Sequence, residues 1–368
     1  MLHYSLRPRA RQSAIRFLSS IERSHAKELE DSVFLGKGVR VKPSIKSQPK
    51  ESNEDLRILD ESIRKAEYLA KNFTTDSIKL QTRLPPNFAT NQHLAINNSN
   101  ELSSLLWNFD APIRHAFAYG SGVFSQGYSD PNTQIDLIFG VTYPAHWHSI
   151  NMKRNKHHYS TLKYFGSSFI SQFQDIGAGV YFNPFVEIDG KLIKYGVVSI
   201  DKLIEDLASW KSFYLAGRLQ KPVKILRDDT MIKFWNQQNL RAAATLAYLN
   251  LPEDKPFDEF QFYRNITELS YNGDIRYLLG AENPQKIDNI VSKNFNYFQQ
   301  YYSPILSEVI QDKHFVLPPG FTKENANQRL KDIIFKSSSI QTAKGLFSAG
   351  LSKSIKYAYA KRLKASKK

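Results

Sequence analysis

A Gly-Ser-Gly turn and a single carboxylate are the residues of this chain whose types and spacing could bind a nucleoside triphosphate. The turn is Gly120-Ser121-Gly122, and it follows a short apolar run that ends at Tyr119. Two glycines let backbone amides approach phosphate oxygens, and the Ser121 hydroxyl adds a donor. Asp136 follows Ser121 by fifteen residues and opens the apolar run "DLIFGV", where an acid is costly unless it is paired or binds a metal. Together these features predict a phosphate site with a metal ligand at Asp136.

Three predicted strands position these groups. The first ends at Tyr119, the second begins at Asp136, and the third runs from Lys191 to Ser199 after an Asp-Gly turn. Neighbouring side chains on a strand point to opposite faces, so if Lys194 faces the phosphates, Tyr195 belongs to the core. Lys194 is therefore a candidate phosphate ligand, with an ordinary surface ion pair as the alternative.

Further carboxylates are scarce around Asp136. Nucleotidyl-transfer enzymes usually hold their metal with two or three acids, but the third predicted strand carries none. Glu187 and Asp189 lie at the turn before it, where exposure to solvent is the simpler explanation, and whether either binds metal is open. The spacing alone leaves two interpretations, a phosphate site with one acid or only a turn and a strand.

The turn and the following strand resemble the polymerase-β-type nucleotidyltransferase superfamily. In that superfamily a Gly-Ser turn opens a helix, and an Asp-x-Asp pair on the next strand holds magnesium against the nucleotide phosphates. Asp136 aligns with the second Asp of that pair, whereas Gln134 stands at the position of the first. The resemblance therefore includes one clear departure.

Longer blocks of the chain resemble the mitochondrial-type phosphatidate cytidylyltransferases. They span roughly Trp107–Lys361 and are, in order, "YGSGVFSQ", "IDLIFGV", "HWHSINMKRNKHHYS", "GAGVYFNP", "IKYGVVS", "FYLAGRLQKPVKIL", "LSYNGDIRYLLGAENPQKIDNIV" and "SSSIQTAKG". The resemblance implies an α/β fold, with a polymerase-β-type nucleotidyltransferase domain, a mainly helical winged-helix-like second domain and a C-terminal amphipathic helix. It also implies Mg²⁺ as cofactor, CTP and phosphatidic acid as substrates, and a supply of CDP-diacylglycerol for cardiolipin at the matrix side of the mitochondrial inner membrane.

The missing acid has a chemical explanation under this resemblance. A polymerase must remove a proton from a sugar hydroxyl, which requires carboxylates and metal. Phosphatidate attacks with a phosphate oxygen whose second pKa is about 6–7, so it arrives largely ionised. Positioning and charge neutralisation then remain as the tasks of the protein, and a single acid at Asp136 can serve them.

The predicted site contains more cations than acids. Ser121 and Asp136 are the candidate catalytic residues, and Asp136 is the candidate Mg²⁺ ligand. The candidate CTP and phosphate-binding residues are Tyr119, Gly120, Ser121, Gly122, Val123, Lys194, Arg218 and Lys221. Which cations bind CTP and which bind phosphatidate is open. Family-motif positions without an assigned role are His148, Asn151, His158 and Tyr159, and candidates to close the cleft, with a structural role equally open, are Arg276, Glu282, Asn283 and Lys286.

The charge distribution argues against a nucleic-acid partner. The 368 residues carry a formal charge of +15, but thirteen of these charges lie in the terminal segments 1–21 and 333–368. A nucleic-acid binder would carry its basic patch on the folded body, which is near neutral here. The absence of cysteine excludes disulfides, thiolate metal sites and a cysteine nucleophile.

Composition sets off the terminal segments and the linker, and the resemblance implies the two domains between them, which gives five segments. Residues 1–37, rich in Arg and Ser at their start, are predicted as a mitochondrial transit segment, with a basic tail as the alternative. A linker over 38–53, a nucleotidyltransferase domain over 54–200, a helical winged-helix-like domain over 201–318 and a C-terminal segment over 319–368 follow. The chain has no apolar run of the roughly 20 residues that span a bilayer.

The C-terminal segment has an apolar stripe with flanking lysines. This pattern predicts a helix that lies on an anionic membrane surface, while packing against the body is the alternative. The predicted membrane contacts are Lys344, Phe347, Leu351, Lys353, Ile355 and Lys356.

The leading hypothesis is CTP:phosphatidate cytidylyl transfer by a peripheral membrane enzyme. One alternative is a non-enzymatic inner-membrane assembly or scaffold factor for protein import, which Gln134 favours. Another is a nucleotidyltransferase that acts on RNA, which would need a basic body and more carboxylates. The sequence leaves the acyl-chain preference, the oligomeric state and the transit cleavage site open.

Overall fold

The fold is built on a mixed five-stranded sheet. The computed structural model describes residues 84–349 apart from 86, 97–98, 125–132, 279 and 281–282, so the predicted transit segment and linker lie outside it. The strands are β1 (His115–Tyr119), β2 (Ile135–Val141), β3 (Val180–Ile188), β4 (Lys191–Ser199) and β5 (Lys224–Arg227). Their order is β3-β4-β2-β1-β5, with β2 and β4 parallel and the other pairs antiparallel.

Local sequence explains the strands nearest to the predicted site. β2 reads "IDLIFGV", and its last five residues are buried, as expected for a central strand with apolar side chains on both faces. β3 and β4 form a hairpin through Asp189 and Gly190, whose φ angles of +51° and +70° match the turn that an Asp-Gly pair favours. This hairpin places Lys194 of β4 opposite Asp136 of β2.

Helices make up most of the remaining described chain. The helices are α1 (Ser99–Ser104), α2 (Pro144–Arg154), α3 (Gly166–Asp175), α4 (Ile200–Ser209), α5 (Ala216–Leu219), α6 (Thr230–Leu249), α7 (Glu259–Leu269), α8 (Ile275–Leu278), α9 (Lys286–Lys293), α10 (Phe295–Ile310) and α11 (Ala326–Ala349). Short 3-10 turns occupy Thr90–Gln92, Leu105–Asn108, Lys156–His158 and Thr161–Phe165. The predicted mixed α/β class with many helices is confirmed.

Among the described residues, hydrophobic packing holds these elements together on the sheet and around the helices. One hydrophobic region lies on the face of the sheet that carries Phe139 and Tyr195, where Trp147 of α2 and Phe109 pack against them. Another surrounds α6, which packs against α4, α7 and α10. Tyr195 is fully buried, so its predicted core position is confirmed. The predicted boundary near residue 200 falls between β4 and α4, and the division into domains stays a prediction.

Helix α11 packs on the body through residues that were predicted to belong to a membrane helix. Lys344 is 5% exposed, and its ammonium donates to the carbonyls of Gln174, Ile176 and Val180 at 2.8, 2.7 and 3.1 Å. An ammonium enclosed by three carbonyls does not face lipid, so the membrane contact predicted for Lys344 is wrong. Ile340 packs on Gly177, where an added Cβ would lie 2.6 Å from its side chain.

The other predicted membrane contacts have no described side chain. Leu351, Lys353, Ile355 and Lys356 lie outside the described residues, and the side chain of Phe347 is not described. Within the described residues, no helix is both long and apolar enough to cross a bilayer.

The buried position of Lys344 predicts a pH-dependent stability. Burial lowers the pKa of Lys344 from 10.5 to about 8. Between these values the unfolded chain holds a proton that the folded chain releases, so this residue contributes more stability as the pH rises through that window. We expect the urea midpoint of the wild type to rise relative to that of Lys344→Met between pH 8 and 10.5. Lys336→Met, at an exposed position of the same helix, should differ from the wild type by the same urea midpoint at every pH. A pH-independent difference in urea midpoint between the wild type and Lys344→Met would contradict the lowered pKa of Lys344.

Candidate functional site

A cleft of about 290 Å³ lies where β1, β2 and β4 meet the helices. Seven of the predicted phosphate-binding or catalytic residues line it, namely Tyr119, Gly120, Ser121, Asp136, Lys194, Arg218 and Lys221. Two of the candidates to close the cleft, Arg276 and Lys286, line it as well. Residues that lie more than 150 positions apart in the sequence therefore share one cavity.

The Gly-Ser turn is shaped by close contacts with β2. Gly120 has a φ of +80°, and an added Cβ would lie 3.2 Å from Oδ2 of Asp136. Gly122 approaches the same strand so closely that a Cβ would lie 2.5 Å from the carbonyl oxygen of Gln134. The amides of Val123 and Phe124 donate to the Gly120 carbonyl at 3.1 and 2.9 Å. Gly122 and Val123 thus shape the turn, whereas Gly120 and Ser121 line the cleft.

Strand register puts three reactive groups side by side. Tyr119 of β1 pairs with Asp136 of β2, which in turn pairs with Lys194 of β4. Oδ1 of Asp136 lies 3.3 Å from the Lys194 ammonium, and each side chain is about a quarter exposed at 25% and 24%. The Lys194 ammonium also lies 4.6 Å from the Phe182 ring centroid. Burial, and then the charge of Asp136, raise the pKa of the Tyr119 hydroxyl, which keeps it neutral.

Gln134, at the position where the superfamily has its first Asp, makes a structural hydrogen bond with its side-chain amide. Nε2 of Gln134 donates to the carbonyl of Ile193 on β4 at 3.3 Å. Glu187 is exposed, and Asp189 accepts a hydrogen bond from Asn108 at 3.2 Å. Neither of these acids lines the cleft. In the part of the chain that the structure describes, no group of three or more His, Cys, Asp or Glu side chains could hold a metal ion by itself.

Arg218 and Lys221 form a second cationic group in the lining of the cleft. The Arg218 guanidinium stacks 3.7 Å from the Tyr214 ring centroid and lies 5.5 Å from that of Tyr119. The Lys221 ammonium donates to Oγ of Ser270 at 2.5 Å and to the Gly217 carbonyl. Burial, with Arg218 and Lys286 nearby, holds the pKa of Lys221 well below its ordinary value. A bound anion would relieve this repulsion.

Sequence reasoning missed an acid and a helix in this cleft. Asp274 accepts from Arg276 through both carboxylate oxygens, at 2.7 and 3.1 Å. Burial opposes ionisation of this acid, but pairing with Arg276 lowers its pKa overall. Helix α11 adds Ser337 and Ser338 to the lining. The two-residue spacing in "DIR" was a signal for the ion pair, whereas nothing local in "SSSIQ" indicates a contact with a distant cleft.

Among the described residues, the ionised groups that line the cleft are five cations and two carboxylates. The cations are Lys194, Arg218, Lys221, Arg276 and Lys286, and the carboxylates are Asp136 and Asp274. Asn283 does not line the cleft, and Glu282 lies outside the described residues. An excess of cations in a closed space suits a ligand, or a pair of ligands, with several negative charges.

Two histidines of the "HWHSINMKRNKHHYS" block, His148 and His158, belong to a buried polar network on the side of β4 that Tyr195 faces. His148 is buried, bonds to the Tyr159 hydroxyl and to Gln174 at 2.9 Å each, and has a pKa lowered to about 4 by burial. Asn151 donates to the Tyr195 hydroxyl at 2.9 Å, and His158 contacts the same hydroxyl at 3.0 Å. Since Tyr195 points away from Lys194, these residues position the strand rather than bind a ligand.

A buried carboxylate on α4 holds the loop that leads to Arg218. Oδ1 of Asp206 accepts from the amide and hydroxyl of Ser212 and from the amide of Phe213, at 2.7–2.8 Å. Oδ2 accepts from the amides of Leu215 and Ala216 at 2.8 and 2.9 Å. Phe213 adopts a φ of +54°, which an L side chain rarely takes, so these bonds also stabilise an unfavourable backbone.

Replacing Asp206 should disturb Arg218 from a distance. Asp206→Asn keeps the volume but turns one acceptor oxygen into a donor, so at least two buried amides lose their partner. We expect the free energy of unfolding to fall by about 2–4 kcal/mol and pyrophosphate binding to weaken. Denaturant unfolding and titration calorimetry measure the two effects. Asp201→Asn, an exposed acid on the same helix, is the matched control, and equal behaviour of the two variants would contradict the role of Asp206.

Comparison with known proteins yields one consistent family. The family model described as mitochondrial phosphatidate cytidylyltransferase matches residues 102–319 and 319–364. The protein of that name from Saccharomyces cerevisiae is 51% identical over 361 residues, covering 96% of this chain and 94% of the relative. The mouse protein of that name is 38% identical over 311 residues, covering 70% of this chain and 91% of the relative. The Schizosaccharomyces pombe protein of that name is 45% identical over 230 residues, covering 61% of this chain and 58% of the relative.

Proposed function

The chain belongs to the mitochondrial phosphatidate cytidylyltransferase family, and from that premise we propose that its cleft joins the phosphate of phosphatidate to the α-phosphate of CTP. It is an enzyme, a nucleotidyltransferase. The observation that supports this use of the cleft is that the Gly-Ser turn and Asp136 share one cavity with five cations. Two phosphate-bearing substrates supply the negative charge that such a cavity lacks.

The reaction balances without a base from the protein. An ionised oxygen of the phosphatidate phosphate forms a bond to the α-phosphorus of CTP, and the bond from that phosphorus to the bridging oxygen of the β-phosphate breaks. Pyrophosphate leaves with the electron pair of that bond, and the product is CDP-diacylglycerol. No hydroxyl proton has to be removed, because the attacking oxygen loses its proton at about pH 6–7. The single acid at Asp136 is consistent with this chemistry.

We assign the two ends of the cleft to the two substrates. The triphosphate of CTP would lie against Gly120, Ser121 and Lys194, where the backbone turns sharply beside Asp136. The phosphate of phosphatidate would lie against Lys221 and Lys286, whose ammonium groups lie 5.5 and 5.2 Å from the Tyr271 ring centroid. Neutralisation by both sides lowers the repulsion between the two phosphates as they approach.

The residues present fit a magnesium ion that is shared with the nucleotide. Mg²⁺ in phosphoryl-transfer sites is commonly held by one or two carboxylates, by substrate phosphates and by water. Asp136 offers one such carboxylate, and its Oδ2 lies so close to Gly120 that an added Cβ there would be 3.2 Å away. When bound, Mg²⁺ would neutralise charge on the transferring phosphates. Lys194, already paired with Asp136, would add a second positive charge at the same position.

The cellular setting is a further part of the proposal. The relatives are named mitochondrial, and we place this chain at the matrix side of the inner membrane, where its product would enter cardiolipin synthesis. Residues 1–37 would act as the transit segment, and the basic residues after Ala349 would contact anionic lipid. Because Ser337 and Ser338 line the cleft, a truncation that tests the C-terminal segment must begin after Ala349.

The other hypotheses are less well supported. The relatives carry the name of an enzyme, which does not favour an assembly or scaffold factor. Their named substrate is phosphatidate, which does not favour RNA. Gln134, the feature that favoured a scaffold, makes a structural hydrogen bond to β4.

Asp136→Asn tests the proposed reaction. The amide removes the negative charge that would hold the metal and that pairs with Lys194, so we expect transfer to fall by about 100-fold or more. Radiolabelled CTP, phosphatidate vesicles and Mg²⁺ are incubated with each protein, and label in the lipid fraction is counted. Glu187→Gln, an exposed acid outside the cleft, is the matched control and should retain full activity. Full activity of a folded Asp136→Asn would overturn its role, and no lipid label with the folded wild type would overturn the proposed function.

A further inference from the structure

We propose that an exposed aromatic ridge on α3 docks this enzyme on anionic lipid, separately from the C-terminal segment. This surface, called the aromatic ridge, comprises the rings of Tyr164, Phe165 and Phe169 and the side chain of Ile176. These side chains are 74%, 67%, 38% and 51% exposed. The proposal rests on the proposed function in one respect, since a lipid substrate gives the enzyme a reason to sit on a bilayer. A contiguous exposed apolar surface on a protein commonly marks an interaction site.

The ridge is continuous along one face of a helix. Phe165 lies at the N-terminal end of α3, Phe169 follows one turn later, and Ile176 lies directly after the last residue of the helix. The seven-residue spacing of Phe169 and Ile176 places them on the same side of α3, and Phe165 lies at the end of the preceding 3-10 turn. The rings of Phe165 and Phe169 are 5.0 Å apart between centroids. Ile170 and Gln174 are buried on another face of α3, so the helix packs on the body with that face, while Phe169 is exposed beside the polar Ser168 and Gln172.

The charges around the ridge match an anionic surface. Between Asp136 and Asp175 the sequence has no acidic residue. The Lys163 ammonium lies 5.6 Å from the Tyr164 ring centroid and donates to the Lys156 carbonyl at 3.3 Å. Lys153 and Lys156 are exposed. Aromatic rings favour the boundary between headgroups and acyl chains, and adjacent lysines are attracted to anionic headgroups, so this surface has the composition of a membrane contact.

One acid borders the ridge. Asp175 is exposed at the C-terminal end of α3, and its charge is felt by the buried Lys344. Of the four basic residues between Asp136 and Asp175, Arg154 is paired with Asp110, and the other three, Lys153, Lys156 and Lys163, outnumber Asp175. The surface therefore stays positive at neutral pH.

Helix α11 connects the ridge to both the cleft and the C-terminal segment. Lys344 donates to the carbonyl of Ile176, at one end of the ridge, at 2.7 Å. Ser338, six residues earlier on the same helix, lines the cleft. A rise of 1.5 Å per residue puts these two positions about 9 Å apart along the axis. Helix α11 thus contacts Ile176 of the ridge with one part and contributes to the wall of the cleft with another.

The sequence that follows α11 is strongly basic. Ala349 follows Lys344 by five residues, and residues 350–368 carry seven cations and no acid. The ridge and this basic sequence point to the same kind of partner. An anionic bilayer satisfies both, and it is also where phosphatidate resides.

A pair of full-length double variants tests the ridge. Phe165→Ser with Phe169→Ser removes its two rings, while Phe257→Ser with Phe315→Ser removes rings of comparable exposure, 41% and 42%, elsewhere on the surface. Each protein is sedimented with phosphatidylcholine vesicles with and without phosphatidylglycerol, an anionic lipid that is not the substrate. We expect binding of the ridge variant to the anionic vesicles to fall by about tenfold or more, because the apolar contact is lost. The control variant should bind like the wild type.

Activity measurements separate the ridge from the reaction. The ridge variant should lose activity on phosphatidate in vesicles but keep it on monomeric dihexanoyl phosphatidate. Vesicle binding equal to that of the wild type, an equal loss in the control variant, or loss of activity on the soluble substrate would overturn the proposal. If the wild type itself fails on both substrates, the proposed function fails, while the binding comparison still tests the ridge.

A fluorescent label gives a direct second test. The chain has no cysteine, so Gln172→Cys, exposed between Phe169 and Ile176, can carry a single environment-sensitive probe. A probe at Lys255→Cys, exposed on the loop before α7, is the control. We expect the emission of the Gln172 probe alone to shift to the blue with anionic vesicles. An unchanged spectrum, as expected if the ridge binds a protein instead, would overturn the proposal.

Discussion

The register that places Asp136 beside Lys194 is the constraint on which the cleft depends. These residues pair across parallel strands, which brings Oδ1 of Asp136 to 3.3 Å from the ammonium. β4 can hold Lys194 there because its next residue, Tyr195, is anchored on the opposite face by Asn151 and His158. A shift of β4 by one residue would exchange the two side chains and bury a lysine in an aromatic core. The buried polar network therefore fixes the register that places Lys194 in the cleft, although the network does not line the cleft itself.

An excess of positive charge is the second determinant of the site. Five cations face two carboxylates, and burial together with neighbouring cations keeps the pKa of Lys221 well below its ordinary value. This arrangement costs stability in the empty protein, and phosphates relieve it on binding. Asp206 contributes from outside the cleft, since its five hydrogen bonds fix the loop before Arg218. Rigid placement of the cations is what such a site needs, because stabilisation by fixed charges requires little rearrangement.

Local sequence patterns predicted the turn and the strands at the centre of this site, whereas contacts between distant segments determine other parts of its lining. The Gly-Ser turn, the strand after Asp136 and the strand Lys191–Ser199 follow from apolar alternation and turn residues, and the structure contains them. The contribution of Ser337 to the cleft depends on a contact between remote segments, whereas the pairing of Asp274 with Arg276 is local. Lys344 shows the limit most clearly. Helical periodicity identifies an apolar stripe with lysines, but it does not distinguish a face that packs on β3 from one that meets lipid.

The central claim is that the enzyme needs no general base because its nucleophile is already ionised. The direct test is the pH dependence of kcat/KM for a short-chain phosphatidate and for its phosphonate analogue, whose second pKa is higher. The account predicts that the rising limb follows the ionisation of each acceptor, near pH 6–7 for the phosphate and at higher pH for the phosphonate. A rising limb that stays at the same pH for both acceptors would assign the ionisation to the protein and contradict the account.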